Sequence, residues 1–178
     1  MSISAADPPS ESEEDPNADG KACYASPPCY AHEVDPAYFS APQPIGREEL
    51  IAFLNTLLEA ERAGAKTIAY YLQSDCGESL RSLLAAVGHD ESRYAALLTR
   101  LVREQGGAPS MVTGSFFVKA KALGDTAERL AFLNRGQGWV ARKLAEALPR
   151  LTDPSLRAAL AEMYEVHLQN IKKCEVVL

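Results

Sequence analysis

The sequence predicts an all-α protein built on four long helices. Three observations carry this: four segments repeat apolar residues at spacings of three and four, the segments are of matched length, and no useful stretch alternates apolar with polar residues as a half-buried strand would. The segments differ in sequence, so no solenoid-type repeat competes with this reading. Helices of equal length, each with one apolar stripe, bury those stripes against one another as an antiparallel four-helix bundle.

The first helix is predicted from Arg47 to about Gln73, with the stripe Leu50, Leu54, Leu57, Ala65, Ile68 and Leu72. The second runs from about Glu78 to Glu104 on Leu80, Leu83, Leu84, Val87, Tyr94, Leu98 and Leu101, and Gly106 and Gly107 end it. At 1.5 Å per residue each spans roughly 40 Å. Thr126 is the predicted cap of the third helix, whose stripe is Leu130, Leu133, Val140 and Leu144, reaching Leu148. Pro154 suits the first turn of the fourth, with Leu156, Leu160, Met163, Asn170 and Cys174 on its stripe. The connection GGAPSMVTGSFFVKAKALGD separates the second and third helices. Some 18 extended residues reach roughly 60 Å, so this segment can cross the length of a bundle without being forced to. Its pair Phe116 and Phe117 either covers a partner or caps the protein's own core.

Ahead of the helices the composition changes twice. Residues 1–22 hold six acids and one base, a sum of −5 out of a net −6, with few apolar groups; such a tail cannot offset its ordering entropy and is expected to be disordered. Residues 23–45, CYASPPCYAHEVDPAYFSAPQPI, repeat proline too often for helix or strand, yet carry Tyr24, Tyr30, Tyr38 and Phe39. An extended leader docking on the bundle by its aromatics is expected there, with residues 46–178 as the folded domain.

The charge left after the tail is only −1, so the body offers no broad basic face and nucleic acid is set aside as a partner. No basic start with an apolar run marks a signal peptide, and no apolar stretch approaches the roughly 20 residues that span a bilayer. No membrane partner is therefore expected, and the expected location is cytoplasmic. Four scattered cysteines (Cys23, Cys29, Cys76, Cys174) do not make a disulfide framework; reduced thiols remain available to metals.

The informative residues are polar groups that interrupt the apolar stripes, because a buried carboxylate or imidazole is costly unless paired or bound to metal. Glu61 falls in phase between Leu57 and Ala65, whereas Glu59 and Arg62 count outward. Glu91 falls between Val87 and Tyr94, and Glu91 and Tyr94 have the i, i+3 spacing that aims two side chains at one point. Gln137 interrupts the third stripe, with Asn134 beside it, and His167 the fourth, between Met163 and Asn170. Glu61 and Glu91 lie equally far from Cys76 in the first turn, so both sit ~22 Å down a bundle. Four inward polar groups at one level are the arrangement that bundle metal sites use.

The segments LLEAERAGAK, GHDESRYAALL, LNRGQGWVARKL and HLQNIKKC resemble the ferritin-like superfamily of rubrerythrin-type four-helix bundles, and more closely an uncharacterised bacterial ferritin-like domain family. The resemblance covers residues 45–178, and SPPCYAHEVDP resembles the leader of such domains. It implies a crossover between the second and third helices. In the metal-binding relatives it also implies one Glu, a Glu-x-x-His, a second Glu and another Glu-x-x-His. Glu61 and Glu91 match the first two acids, but Tyr94 stands where a His belongs and Gln137 where the second lone Glu belongs. His167 matches the final His, yet Tyr164 stands three before it, with Glu162 and Glu165 on other faces.

Three of six ligands thus remain: Glu61, Glu91 and His167, with Tyr94, Gln137, Asn170 and Tyr164 as neighbours in a second shell. Such a set can hold one Fe, Mn or Zn ion with water completing the shell; two ions would lack charge and bridging oxygens. The sequence reading leans to a degenerate ferritin-like module, a non-enzymatic binding or accessory protein. The alternative is a metal-dependent oxidoreductase or redox protein working through the three ligands. A small-molecule site lined by Trp139, Tyr94 and Tyr164 is a third reading, and a homodimer or other protein partner is left open. Cys23, Cys29 and His32, next to Glu33, form a second and weaker ligand cluster in the leader, which a bundle residue such as Cys174 could complete.

Overall fold

The computed structural model describes residues 42–74 and 77–177. The acidic tail, the leader as far as residue 41 with Cys23, Cys29 and His32, and Cys76 lie outside the described residues. Those residues are all-α, in the order α1 (Arg47–Tyr71), α2 (Glu78–Glu104), the short α3 (Phe116–Lys121), α4 (Thr126–Ala147), a single 3₁₀ turn (Leu148–Arg150) and α5 (Pro154–Glu175). Among the described residues no helix is long and apolar enough to cross a membrane.

The ends of the helices have identifiable causes. The α2 C-terminus passes into Gly106 at φ +76°, a left-handed conformation that glycine adopts without the Cβ penalty. Asp125, not Thr126, caps α4: its carboxylate accepts from the Glu128 amide at 2.9 Å, and Thr126 becomes the first helical residue. Asp153 does the same for α5, accepting from the amides of Ser155 and Leu156, with Pro154 in the first turn.

Long-range hydrogen bonds fix where the connection runs. Arg47 at the start of α1 donates to the Gln105 carbonyl at the end of α2 (2.9 Å), and Asn55 donates to the Ala108 carbonyl (3.1 Å) while accepting from the Ser110 amide (2.7 Å). Farther along α1, Tyr71 donates to the Ala120 carbonyl of α3 (3.4 Å), and Arg129 of α4 reaches Ser74 just past the end of α1 (3.0 Å). At the other end of α4, the Ile45 amide donates to the Arg150 carbonyl, and the Arg150 guanidinium makes a bidentate pair with Glu49. Partners on the α1 side therefore advance from Arg47 to Ser74 as the chain proceeds from Gln105 to Arg129.

Two apolar clusters form the core. One gathers Leu54, Leu57, Leu58, Tyr94, Leu98, Val140, Leu144, Leu160 and Met163; the other gathers Ile68, Tyr71, Leu84, Val87, Ala120, Leu130, Leu133 and Cys174. Each fully buried leucine of this kind contributes about 1.5–3 kcal/mol relative to an exposed one. The first stripe differs in detail from its expected form: Leu58, Ala63 and Tyr71 are buried, whereas Ala65 and Leu72 are only half-buried. The 3.6-residue period carries the buried face round the helix, and the covering connection widens it. Phe116 stacks on Phe132 with centroids 4.5 Å apart, and Phe117 meets Tyr70 edge-on, so both phenylalanines cap the protein's own core.

Candidate metal centre

Between the two apolar clusters lies a polar layer, one residue from each long helix. Glu61 comes from α1, Glu91 from α2, Gln137 from α4 and His167 from α5, and all four are buried, Glu61 completely. One donor atom from each of Glu61, Glu91 and His167 lies within 4.8 Å of the others.

His167 is oriented through its far nitrogen. Nδ1 lies 2.9 Å from the Met163 carbonyl, which can only accept, so Nδ1 carries the hydrogen. Burial is the main cause that lowers the imidazole's pKa and favours the neutral ring. Nε2 then presents a lone pair, and it faces Glu61 Oε1 at 3.2 Å. No N–H or hydroxyl donor reaches the other Glu61 oxygen, Oε2, which is buried; the Glu61 and Glu91 carboxyls bond to each other only when one of them keeps a proton. Two acceptors face each other here unless a proton or a cation lies between them.

The two acids share this problem. Burial holds both carboxyls well above the ordinary carboxylate value, and the charge of Glu61 raises Glu91 further. Gln137 donates its Nε2 hydrogen to Glu91 Oε1, which fixes that carboxyl and leaves Gln137 Oε1 buried and unpartnered. Glu91 also depends on a missing side chain. A Cβ on Gly64 would stand 2.8 Å from Glu91 Oε1 and closer still to its Cδ and Oε2, inside the distance real Cβ atoms keep. A glycine at this mid-helix position costs about 1 kcal/mol relative to alanine, and the space it leaves is filled by the carboxyl.

The residues expected around the three ligands do not all lie there. Gln137 contacts Glu91, but Tyr94 does not act in place of a histidine: its hydroxyl accepts from Arg93 at 2.5 Å, and only its ring, 5.8 Å centroid to centroid, packs on His167. Burial pushes the Tyr94 hydroxyl up to about 12, so it stays a neutral phenol. Asn170 donates to Asp90 at 3.0 Å, and Tyr164 packs half-buried on the apolar cluster. Glu162, displaced from the interior, pairs with Arg93 at the surface. Glu59 and Arg62 count outward from the core but are covered by the connection, both bonding to Ser110. Cys174 is a buried free thiol among Ile68, Leu84 and Val87, and burial pushes its pKa up, so it stays protonated.

A cleft of about 420 Å³ opens beside the polar layer, between α1, α4 and the connection. Trp139 lines it, but Tyr94 and Tyr164 do not; Phe116, Ala63, Leu133 and Val140 take their place, with the buried Glu91 and Gln137 at its inner end. Neither Gly64 nor the cleft was signalled by apolar periodicity. The one available sign was Gly64 itself, a glycine in the middle of a helix where no cap or turn needs it.

Fold and site together define an all-α domain with a buried cluster of two carboxylates and one imidazole. The chain belongs to the family described as Domain of unknown function (DUF6306), whose model matches residues 48–176 and so includes Glu61, Glu91, Gln137 and His167. No curated protein and no solved structure matches the chain.

Proposed function

We propose that this domain is a ferritin-like antiparallel four-helix bundle, with a crossover between α2 and α4, that holds one divalent transition-metal ion through Glu61, Glu91 and His167. The advance of partners along α1 supports the crossover. The observation that carries the metal reading is the His167 Nε2 lone pair facing Glu61 Oε1 at 3.2 Å, beside the orphaned Oε2. Two carboxylates neutralise a divalent charge, and a mixed oxygen and imidazole set suits Fe, Mn or Zn. Donors about 2.1 Å from one ion stand ~3–4 Å apart, so the three groups need to draw inward only slightly from their 4.8 Å envelope. The Met163 carbonyl on Nδ1 and the Gln137 amide on Glu91 are the outer contacts that orient such ligands. A bound ion of this kind supplies Lewis-acid or, for iron and manganese, one-electron chemistry; the cytoplasm is the expected setting.

The second reading is a metal-free module in which the acids keep a proton between them. The raised pKa of both carboxyls favours it. Protein equilibrated with Zn²⁺, Mn²⁺ or anaerobic Fe²⁺ and then freed of excess separates the two. One ion per chain, lost in Glu61→Leu, supports the metal centre; a folded protein that retains none of the three ions overturns it.

A further inference from the structure

The cleft beside the polar layer has the proportions of a ligand site and two kinds of wall. Its volume, about 420 Å³, lies within the ~300–1,000 Å³ of small-molecule pockets. Its sides are apolar, from Ala60, Ala63, Leu133, Trp139, Val140 and the Phe116 ring. Its inner end is polar: there Glu91 meets Gln137, whose Oε1 is buried without a partner while Nε2 is committed to Glu91. A buried acceptor left unpaired costs about 1–3 kcal/mol, and a donor arriving through the cleft removes that cost.

Two glycines shape the space. Gly64 makes room for the Glu91 carboxyl at the inner end. Gly136 does so at the wall, where a Cβ would stand 2.8 Å from the Phe116 ring; with hydrogen there instead, Phe116 lies down on α4 and stacks on Phe132. The connection, through Thr113, Gly114 and Ser115, forms the outer edge, and the charged rim residues Glu59 and Arg135 oppose each other in sign. A rim of balanced charge and an apolar throat favour a neutral occupant.

We infer that this cleft binds a small neutral molecule, apolar over most of its body, with one hydrogen-bond donor that enters first and is received by Gln137 Oε1 beside Glu91. Occupancy of the cleft stands on its own geometry; only the further step, that the donor end lies against a bound ion, rests on the metal reading above. The class is that of phenols and alcohols carrying a hydrocarbon body of one or two rings.

Trp139 lines the cleft and is the chain's single tryptophan, so its emission reports occupancy directly. The full chain is titrated with para-tert-butylphenol and, separately, with tert-butylbenzene, both metal-free and after loading with Zn²⁺. A saturable change in Trp139 emission with the phenol, at least tenfold weaker with the hydrocarbon, is expected. Ala60→Phe, which adds bulk to the apolar wall of the cleft without removing any of the three proposed ligands, should weaken phenol binding at least tenfold while leaving Zn²⁺ stoichiometry unchanged. Gln137→Leu should bring the two probes to within about threefold of each other. Phenol binding without Zn²⁺ uptake supports the cleft and overturns the metal centre alone. Zn²⁺ uptake with no saturable phenol response up to the probe's solubility, or equal affinity for the two probes in the unmodified chain, overturns the inference. Should Ala60→Phe fail to fold, Thr56→Trp at the cleft's exposed edge is read the same way, by loss of phenol binding in calorimetry.

Discussion

Gly64→Ala separates a helix position from a reserved space. In an ordinary mid-helix site the added methyl stabilises by about 1 kcal/mol through helix propensity. At residue 64 the same methyl meets the Glu91 carboxyl at 2.8 Å or less, an overpacking that typically costs about 1–3 kcal/mol. The net expectation is between no change and about 2 kcal/mol of destabilisation. For a domain of this size 1 kcal/mol moves Tm by about 2–4 °C.

Gly138 supplies the control on α4, because a Cβ there meets only Arg142 Nη1, at 3.5 Å, an ordinary contact. Gly138→Ala should therefore raise Tm by about 2–4 °C, with Gly64→Ala falling clearly below it. Relief of the clash swings Glu91 off Gln137, so Gly64→Ala should also weaken Zn²⁺ binding by ~10–100-fold, the scale on which misoriented ligands act. Differential scanning calorimetry with Zn²⁺ titration reads both quantities. If Gly64→Ala matches Gly138→Ala in Tm and keeps its Zn²⁺ affinity, the space is not reserved for Glu91 and the reasoning fails.

Other consequences are equally direct. Tyr94→Phe should leave Zn²⁺ affinity within about twofold and cost only the Arg93 hydrogen bond, about 0.5–1.5 kcal/mol; a tenfold loss of affinity in the titration would place the phenol on the ion instead. Glu61→Leu should abolish metal uptake; in the metal-free protein it removes a costly buried carboxyl but leaves His167 Nε2 without its partner, so stability by urea unfolding should change by no more than about 1–3 kcal/mol. Gln137→Glu adds a third buried carboxyl, so the metal-free form should lose stability and metal should restore it; unchanged unfolding with a single bound ion would show that the added acid faces away. The acids also set a pH dependence. A carboxyl whose pKa is raised on folding stabilises fully below the ordinary value of 4.5, and that contribution is lost as pH rises through its folded value. Metal-free wild type should therefore lose stability from pH 4.5 upward relative to Glu61→Gln/Glu91→Gln. His167, lowered on folding chiefly by burial, acts oppositely below 6.5, and more strongly in the double variant, which lacks the Glu91 charge that raises it; the comparison is therefore read above 6.5. Parallel pH profiles from urea melts would refute this assignment.

The helices were legible because each stripe is long enough to show its period: α2 begins and ends at Glu78 and Glu104, where the expected segment does. The inward direction of Glu61, Glu91, Gln137 and His167 was legible for the same reason, since a polar residue in phase with leucines has only the interior to face. Direction at the level of atoms was not. Tyr94 shares the stripe with Glu91, yet a phenol long enough to pass the layer reaches Arg93, and spacing alone does not distinguish that from a ligand. Periodicity is equally silent about space: Gly64 and Gly136 matter through what a side chain would displace, and those contacts come from other segments. Asp125 for Thr126 as a cap is a shift of one residue, the scale on which helix ends are poorly encoded.

An amide at residue 137, rather than a third acid, bears on how many ions this layer would hold under the proposed metal reading. Glu61 and Glu91 bring two negative charges, which one divalent ion cancels; a second would leave two positive charges among leucines, at a cost no neutral amide offsets. The amide does something an acid could not. Its Nε2 donates to Glu91 and holds that carboxyl over Gly64, where a second carboxylate would repel it, and its Oε1 is left buried without a partner. Under the metal reading, one residue thereby offers no bridging carboxylate to a second ion and supplies a buried acceptor among the residues that line the cleft. Under the two proposals above, the amide that would limit the layer to a single ion would also offer a neutral molecule in the cleft its hydrogen-bond partner.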